Sequence, residues 1–264
     1  LDPIDHATLP LSSSEVDYPL IREMHAASAL ATPSAVSTWR AGAWRDSTAT
    51  SAAGAKLVAL PSARERAGRG LGETIHRRGS TREFGHASLT AEELATTLWA
   101  ATRSLDADVP GGLVDLYLIV NAVEGVPPGA YVYRPDAHAL ETLATGEFRN
   151  RSAYLCLEQP LGGDAAVVFY WLARLDALTR AFGDRGYRLA NLAAGLAGGR
   201  AYLAAYAQGF GASGLTFYDR HVVEFFSPHA AGKDAIFVTA LGRSGEGGRV
   251  NIKSNLSAPG RPSA

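Results

Sequence analysis

The sequence predicts an α+β fold, with a mixed, largely antiparallel central sheet flanked by helices rather than a doubly wound parallel sheet. Three observations carry this. LVDLYLIV from Leu113 and GAYVYRPDAHALETL from Gly129 are β-prone runs, the second with a Pro-Asp turn inside it, an antiparallel ribbon and not a βαβ crossover. DAAVVFYWL from Asp164 and DAIFVTALGR from Asp234 read as buried strands. RGYRLANLAAGLAGGRAYLAAYAQGFG from Arg185 has almost no β-branched residues and reads as one long helix.

In chain order, residues 1–70 are rich in Ala, Ser, Thr and Pro, an N-terminal arm in which YPLIREMHAASAL, from Tyr18, predicts a short helix. A run at Ser51–Ala55 and the basic stretch SARERAGRGLG, expected to be a solvated connection, lead into a main domain over 71–250. In SLTAEELATTLWAATR, Thr90 and Glu93 stand at capping-box spacing, with Leu94, Leu98 and Ala101 at helical intervals behind them. Within the long helix, Ala193, Ala194, Gly195, Gly198 and Gly199 imply that something approaches the backbone closely, through dense packing or a subunit interface. GFGASG, from Gly209 to Gly214, matches G-x-G-x-x-G, but a dinucleotide fingerprint needs a strand before it and a helix after it. We therefore read a glycine helix stop and a tight turn. Residues 251–264 predict an extended C-terminal tail.

The 264 residues carry 25 Lys+Arg against 26 Asp+Glu, a formal net charge of −1. No global field therefore favours nucleic acid or an anionic membrane, and a basic site must be local. No apolar run is long enough to span a bilayer, and LDPIDHATLPL lacks the features of a signal peptide. Leu1 stands where a full chain begins with methionine, so we read a piece of a longer parent. The one cysteine, Cys156, excludes an intramolecular disulfide, suits a reducing, cytoplasmic setting and reads as an inert core thiol. Neither HExxH nor a close histidine pair at helical spacing is present, so we expect no metal site, and no G-x-S-x-G marks a hydrolase elbow. Glu92–Glu93 and Asp106/Asp108 suit capping or solvated roles.

RGSTREF, from Arg78 to Phe84, is different. Arg78 and Arg82 offer permanently charged planar forks, Ser80 and Thr81 add hydroxyls, and Gly79 lets a backbone amide approach an anion. The set suits a phosphate; equally, it suits a basic loop pairing with surface carboxylates.

RGSTREF resembles the R-x-S-x-R-x-F signature that opens the nitroreductase-like flavoproteins, and the chain beyond it resembles their SagB-type dehydrogenase branch. TAEELATTLWAA sits at the family's next position. GDRGYRLANLAAGLAGGRAYLAAYAQGFGASGLTFYD is similar to the branch's long central helix and glycine turn, and HVVEFFSPHAAGKDAIFVTALGR to its closing segment. The likeness runs from Leu71 to Arg243. It implies a nitroreductase-like α+β fold, usually homodimeric with the central helix at the interface, and FMN bound across that interface. By position, Arg78, Gly79, Ser80 and Arg82 would hold the FMN phosphate and the polar edge of the ring, and Arg243 would close on the phosphate. Gly214, Leu215, Thr216 and Phe217 would bring backbone toward the flavin N5.

Two departures stand out. DADVPGGLVD, ahead of LYLIV, replaces the P-S-A-G-x-L-Y-P-like segment that lines the flavin and substrate site in SagB-type enzymes. Ala181-Phe182 replaces the Lys-Tyr pair of azoline oxidases and can do no acid–base work, leaving Tyr187 and Tyr218 as the nearest phenols. The resemblance thus implies an FMN-dependent oxidoreductase moving a hydride between a small or peptide-derived substrate and flavin N5, among partner enzymes of a natural-product pathway. The alternatives are a NAD(P)H-dependent nitro or quinone reductase, or a non-catalytic module of a peptide-modifying assembly.

Overall fold

The computed structural model describes residues 12–41, 54–104 and 110–245; Asp106, Asp108 and the 251–264 tail lie outside these. Two short helices stand in the arm, α1 (Pro19–Ala27) and α2 (Pro33–Arg40). Each begins with proline, whose missing N–H is no loss in a first turn, and the Thr32 hydroxyl caps α2 by accepting from the Ala35 amide at 3.1 Å. Then come β1 (Leu57–Ala59), α3 (Leu71–Arg77), α4 (Ala91–Thr102), β2 (Asp115–Val120), β3 (Gly129–Arg134) and β4 (Ala139–Thr145). These are followed by α5 (Arg149–Leu155), α6 (Pro160–Asp164), β5 (Val167–Ala173), α7 (Leu175–Phe182), α8 (Arg185–Gln208), β6 (Gly211–Leu215), α9 (Asp219–Phe226) and β7 (Asp234–Gly242).

The strands form one sheet in the order β1-β4-β3-β2-β5-β7-β6, and each of these neighbouring pairs is antiparallel. Parallel pairing occurs, among the described residues, only as an isolated bridge between Leu89 and Val123. β2 is buried at five of its six positions because both faces of the sheet are covered, so its side chains divide between two cores. Leu116, Leu118 and Val120 pack with α4 and α8; Tyr117 and Ile119 pack with α5 and α9. The arm contributes the edge strand β1, and the connection after it is more than solvated, since the Arg69 guanidinium donates to the Tyr206 carbonyl of α8 at 2.6 Å.

The capping box of α4 forms in full. The Glu93 amide donates to the Thr90 hydroxyl and the Thr90 amide to the Glu93 carboxylate, with Leu94, Leu98 and Ala101 buried behind them. In α8 the glycines divide. A Cβ on Gly198 would lie 2.5 Å from the Phe237 ring, so β7 presses on the helix there. Gly195 and Gly199 meet nothing within 4 Å. Gly209, at φ 92°, stops the helix as expected. The predicted turn beyond it is instead β6, a strand without β-branched residues held by its ladder to β7.

A polar network lies under the α9 side of the sheet. Lys233, whose side chain is 0% exposed, donates to Asp115 (2.6 Å) and to the Tyr117 hydroxyl (2.7 Å). That hydroxyl lies 2.8 Å from His229 Nδ1, and Arg134 Nη2 lies 3.0 Å from His229 Nε2 while its Nε donates to Glu141 at 2.6 Å. A guanidinium only donates, so Nε2 must accept and the imidazole proton sits on Nδ1, facing Tyr117. The Tyr117 hydroxyl then accepts twice and donates to the His229 carbonyl at 3.3 Å, which satisfies every group.

Candidate functional site

The loop 78–85 follows α3 and is pinned at two points. The Thr81 amide donates to the Ala212 carbonyl on β6 at 2.9 Å, and Thr81 is buried with its hydroxyl 3.1 Å from that of Tyr206. Thr81 is therefore an anchor, not the open hydroxyl donor its place in RGSTREF suggested. Further on, Phe84 is buried against Gly242, the Gly85 amide donates to the Arg243 carbonyl at 2.9 Å, and the Gly245 amide to the Glu83 carbonyl at 3.0 Å. Arg78, Gly79 and Ser80, ahead of the Thr81 pin, and Arg82, between the two pins, are exposed. Neither arginine forms an ion pair among the described residues; Arg78 has its guanidinium 5.8 Å above the Tyr202 ring. A Cβ on Gly79 would come no closer than 4.0 Å to the Tyr206 hydroxyl, so the backbone there is open.

β6 borders this loop with its outer edge. Peptide groups alternate along an antiparallel strand, so Ala212, Gly214 and, by continuation, Thr216 face away from β7. Ala212 takes the Thr81 amide, and the Gly214 amide donates to the Tyr202 hydroxyl. Thr216 is held from the other face by Gln159, whose Nε2 donates to its hydroxyl at 2.9 Å, while Leu215 and Phe217 pack into the α9-side core. Gln159 follows Leu157 and Glu158, two successive non-glycine residues in left-handed conformation (φ 54° and 59°). That turn presents the Gln159 side chain to the Thr216 segment.

The remaining candidates are placed otherwise. The Arg243 guanidinium donates to both Glu93 oxygens, at 2.8 and 2.7 Å, so its charge is already matched at the α4 capping box. Tyr218 caps α9, its amide on the Leu155 carbonyl and its ring 5.4 Å from Tyr154 and 5.3 Å from His221. The Glu158 carboxylate beside it pushes its phenol above the ordinary value, which disfavours a role as base. Tyr187 is 47% exposed on the first turn of α8, about 22 Å along the axis from Tyr202 at ~1.5 Å per residue. Within one chain it does not join the loop. Ala181 and Phe182 line a groove under α2, where the Phe182 ring lies 6.4 Å from Trp39. Cys156 is buried, which pushes its thiol up to about 11. Tyr202 and Tyr206, which back both loop and edge, escaped sequence reasoning; the signal available was two tyrosines four apart in YLAAY.

A family model described as Nitroreductase family matches residues 75–239, from within α3 into β7. A candidate nitroreductase of Methanocaldococcus jannaschii is 30% identical over 163 residues, 58% of this chain and 82% of that protein. A crystal structure of a candidate nitroreductase from Anabaena variabilis aligns with TM-score 0.64 at 29% identity, over 72% of this chain and 42% of that one. This chain thus spans less than half of the Anabaena protein's length. A chain of the E. coli microcin synthetase McbBCD complex, bound to a truncated precursor, shares the fold with TM-score 0.54 at 18% identity, over 86% of this chain and 93% of that one.

Proposed function

The chain belongs to the nitroreductase family, and on that premise we propose that it is an FMN-dependent, SagB-type dehydrogenase-like oxidoreductase, passing a hydride between a small or peptide-derived substrate and flavin N5. One observation carries the reading. Arg78 and Arg82 stand exposed without carboxylate partners among the described residues, with open Gly79 and Ser80 between them, on a loop pinned to the outer edge of β6. This donor set fits a phosphate dianion. When bound, the flavin supplies the hydride chemistry. The chain's own residues bind and orient: Arg78, Ser80 and Arg82 hold the phosphate, and Arg243 adds the N–H groups that Glu93 leaves over. Gly214 keeps the strand edge low, and the outward Thr216 amide, between Leu215 and Phe217, favours negative charge at N5.

A homodimer belongs to this reading, supported by the exposed Leu192 and Leu196 beside open Gly195 and Gly199 on α8. So do a cytoplasmic setting and partner enzymes acting on a peptide, for which the shared fold with the microcin synthetase chain is an analogy. Flavin released by heat from purified protein should be FMN, and replacing Arg78 and Arg82 by alanine should release it without unfolding. If the protein neither carries nor binds FMN, the non-catalytic module takes this reading's place.

The packing of Ala181 and Phe182 under α2 favours a second reading, a NAD(P)H-dependent nitro or quinone reductase, which needs no acid–base pair there. Anaerobic NADPH separates the two. It bleaches the flavin of a reductase and leaves that of a substrate-specific dehydrogenase yellow.

A further inference from the structure

Tyr202 and Tyr206 lie one turn apart on α8, on a single face. Each makes two contacts that bulk packing does not require. The Tyr206 hydroxyl meets Thr81 at 3.1 Å and its carbonyl accepts from Arg69 at 2.6 Å, so one residue grips the chain just before and just after α3. Tyr202 offers its ring face to Arg78 and its hydroxyl to the Gly214 amide. It is the one side chain among the described residues touching both the loop and the β6 edge in this way. Tyr202 takes the Gly214 amide and Thr81 takes the Ala212 carbonyl, so at the far end of this edge it is the outward Thr216 amide that can meet a ligand.

We propose that Tyr202 and Tyr206 are positioning residues of the cofactor site: Tyr206 sets the height of the phosphate loop, and Tyr202 fixes the spacing between its arginine and the strand edge. The inference rests on the FMN reading. A phosphate at Arg78 and a ring along β6 are two ends of one ligand, so a rigid strut between their protein contacts lowers the cost of ordering them on binding. The ring contact at 5.8 Å is near the outer limit of a cation–π pair, so Tyr202 acts by aiming Arg78 more than by holding it.

Riboflavin, which has the same ring and no phosphate, separates positioning from bulk packing. Flavin-stripped wild type, Tyr202→Phe, Tyr202→Leu and Tyr206→Phe would be titrated with FMN and with riboflavin, followed by quenching of flavin fluorescence. Tyr202→Leu and Tyr206→Phe should lose FMN affinity about fivefold while riboflavin changes less, narrowing the FMN preference about threefold. Tyr202→Phe keeps the ring under Arg78 and should keep that preference. It loses the acceptor for Gly214, so both affinities should fall together and the midpoint potential of the bound flavin should move. An unchanged FMN-to-riboflavin ratio in both Tyr202→Leu and Tyr206→Phe, with thermal unfolding intact, overturns the proposal. Each phenylalanine variant removes a single oxygen, so Tyr206→Phe decides the matter if Tyr202→Leu does not fold. A wild type that binds neither flavin overturns the FMN reading and this inference with it; wild-type binding with indifferent variants overturns the inference alone.

Discussion

Acidification through the ordinary histidine range should destabilise this protein through His229. Its Nε2 must accept from Arg134 at 3.0 Å, which a protonated ring cannot do. Burial first, then the charges of Lys233 and Arg134, hold its pKa below the ordinary value, against a smaller opposing pull from Glu141 and Asp115. Arg174, at the end of β5, adds positive field on Tyr117 and Lys233. The unfolded chain takes up a proton at about pH 6.5, and the folded chain only at lower pH. Between those values the unfolded state binds more protons, so stability rises with pH. The contribution is whole above the unfolded value and is lost as pH falls through the folded one. One proton sets a limit of about 1.4 kcal/mol per pH unit on the slope. Two unit charges at this range repel by about 1 kcal/mol in a water-like medium and about 4 kcal/mol at an effective protein dielectric. With Glu141 and Asp115 offsetting part of that, we expect a loss of about 1–2 kcal/mol. Urea unfolding of wild type and His229→Gln, which keeps an acceptor for Arg134 and does not titrate, measures the difference between about pH 5 and 8. Superimposable pH dependences of the two proteins would refute the argument.

Four other substitutions test the surroundings of the site. A Cβ at Gly211 would sit 2.1 Å from Thr81 Oγ1 and 3.0 Å from its Cβ, so Gly211→Ala should displace the loop, cost about 1–3 kcal/mol and weaken FMN binding. Fluorescence titration alongside thermal unfolding checks both. Gly198→Ala drives into the Phe237 ring and should destabilise by a similar ~1–3 kcal/mol, whereas Gly195→Ala should gain about 0.5–1 kcal/mol of helix propensity in the monomer. If that face of α8 joins two copies, Gly195→Ala should also shift the elution volume of the dimer. Glu93→Ala removes the acceptor of the Thr90 amide and the partner of Arg243 together, and should cost about 2–3 kcal/mol in denaturant unfolding.

Local signals made much of the fold legible. The Thr90/Glu93 box and the apolar spacing behind it lie within one helix, and DAAVVFYWL needs no partner to read as a strand. β6 was illegible because GASGL has two glycines and no β-branched residue; its conformation comes from a β7 ladder more than twenty residues away. The same holds for the site. Arg78, Gly79, Ser80 and Arg82 fall within five residues, so the proposed cluster is readable locally, while Tyr202 and Tyr206 reach that loop across more than 120 residues and look like core. The partner of Arg243 was hidden for a related reason. Its position after the last strand was visible, but the Glu93 that engages it is 150 residues earlier and reads locally as a cap. The Lys233, Asp115, Arg134, Glu141 and His229 network shows no periodicity, since four separate segments meet only once the sheet has formed.

The outer edge of β6 also bears on solubility. An unpaired strand edge invites another chain to add a strand, and proteins guard such edges with something other than a strand. Here the guards are single contacts: the Thr81 amide on Ala212, the Tyr202 hydroxyl on Gly214 and Gln159 over Thr216. An edge whose backbone stays open at Thr216 is thereby kept too interrupted for a second polypeptide to zip along it. Variants that lift one guard should self-associate most when stripped of ligand, and a ligand lying along the edge should keep them dispersed.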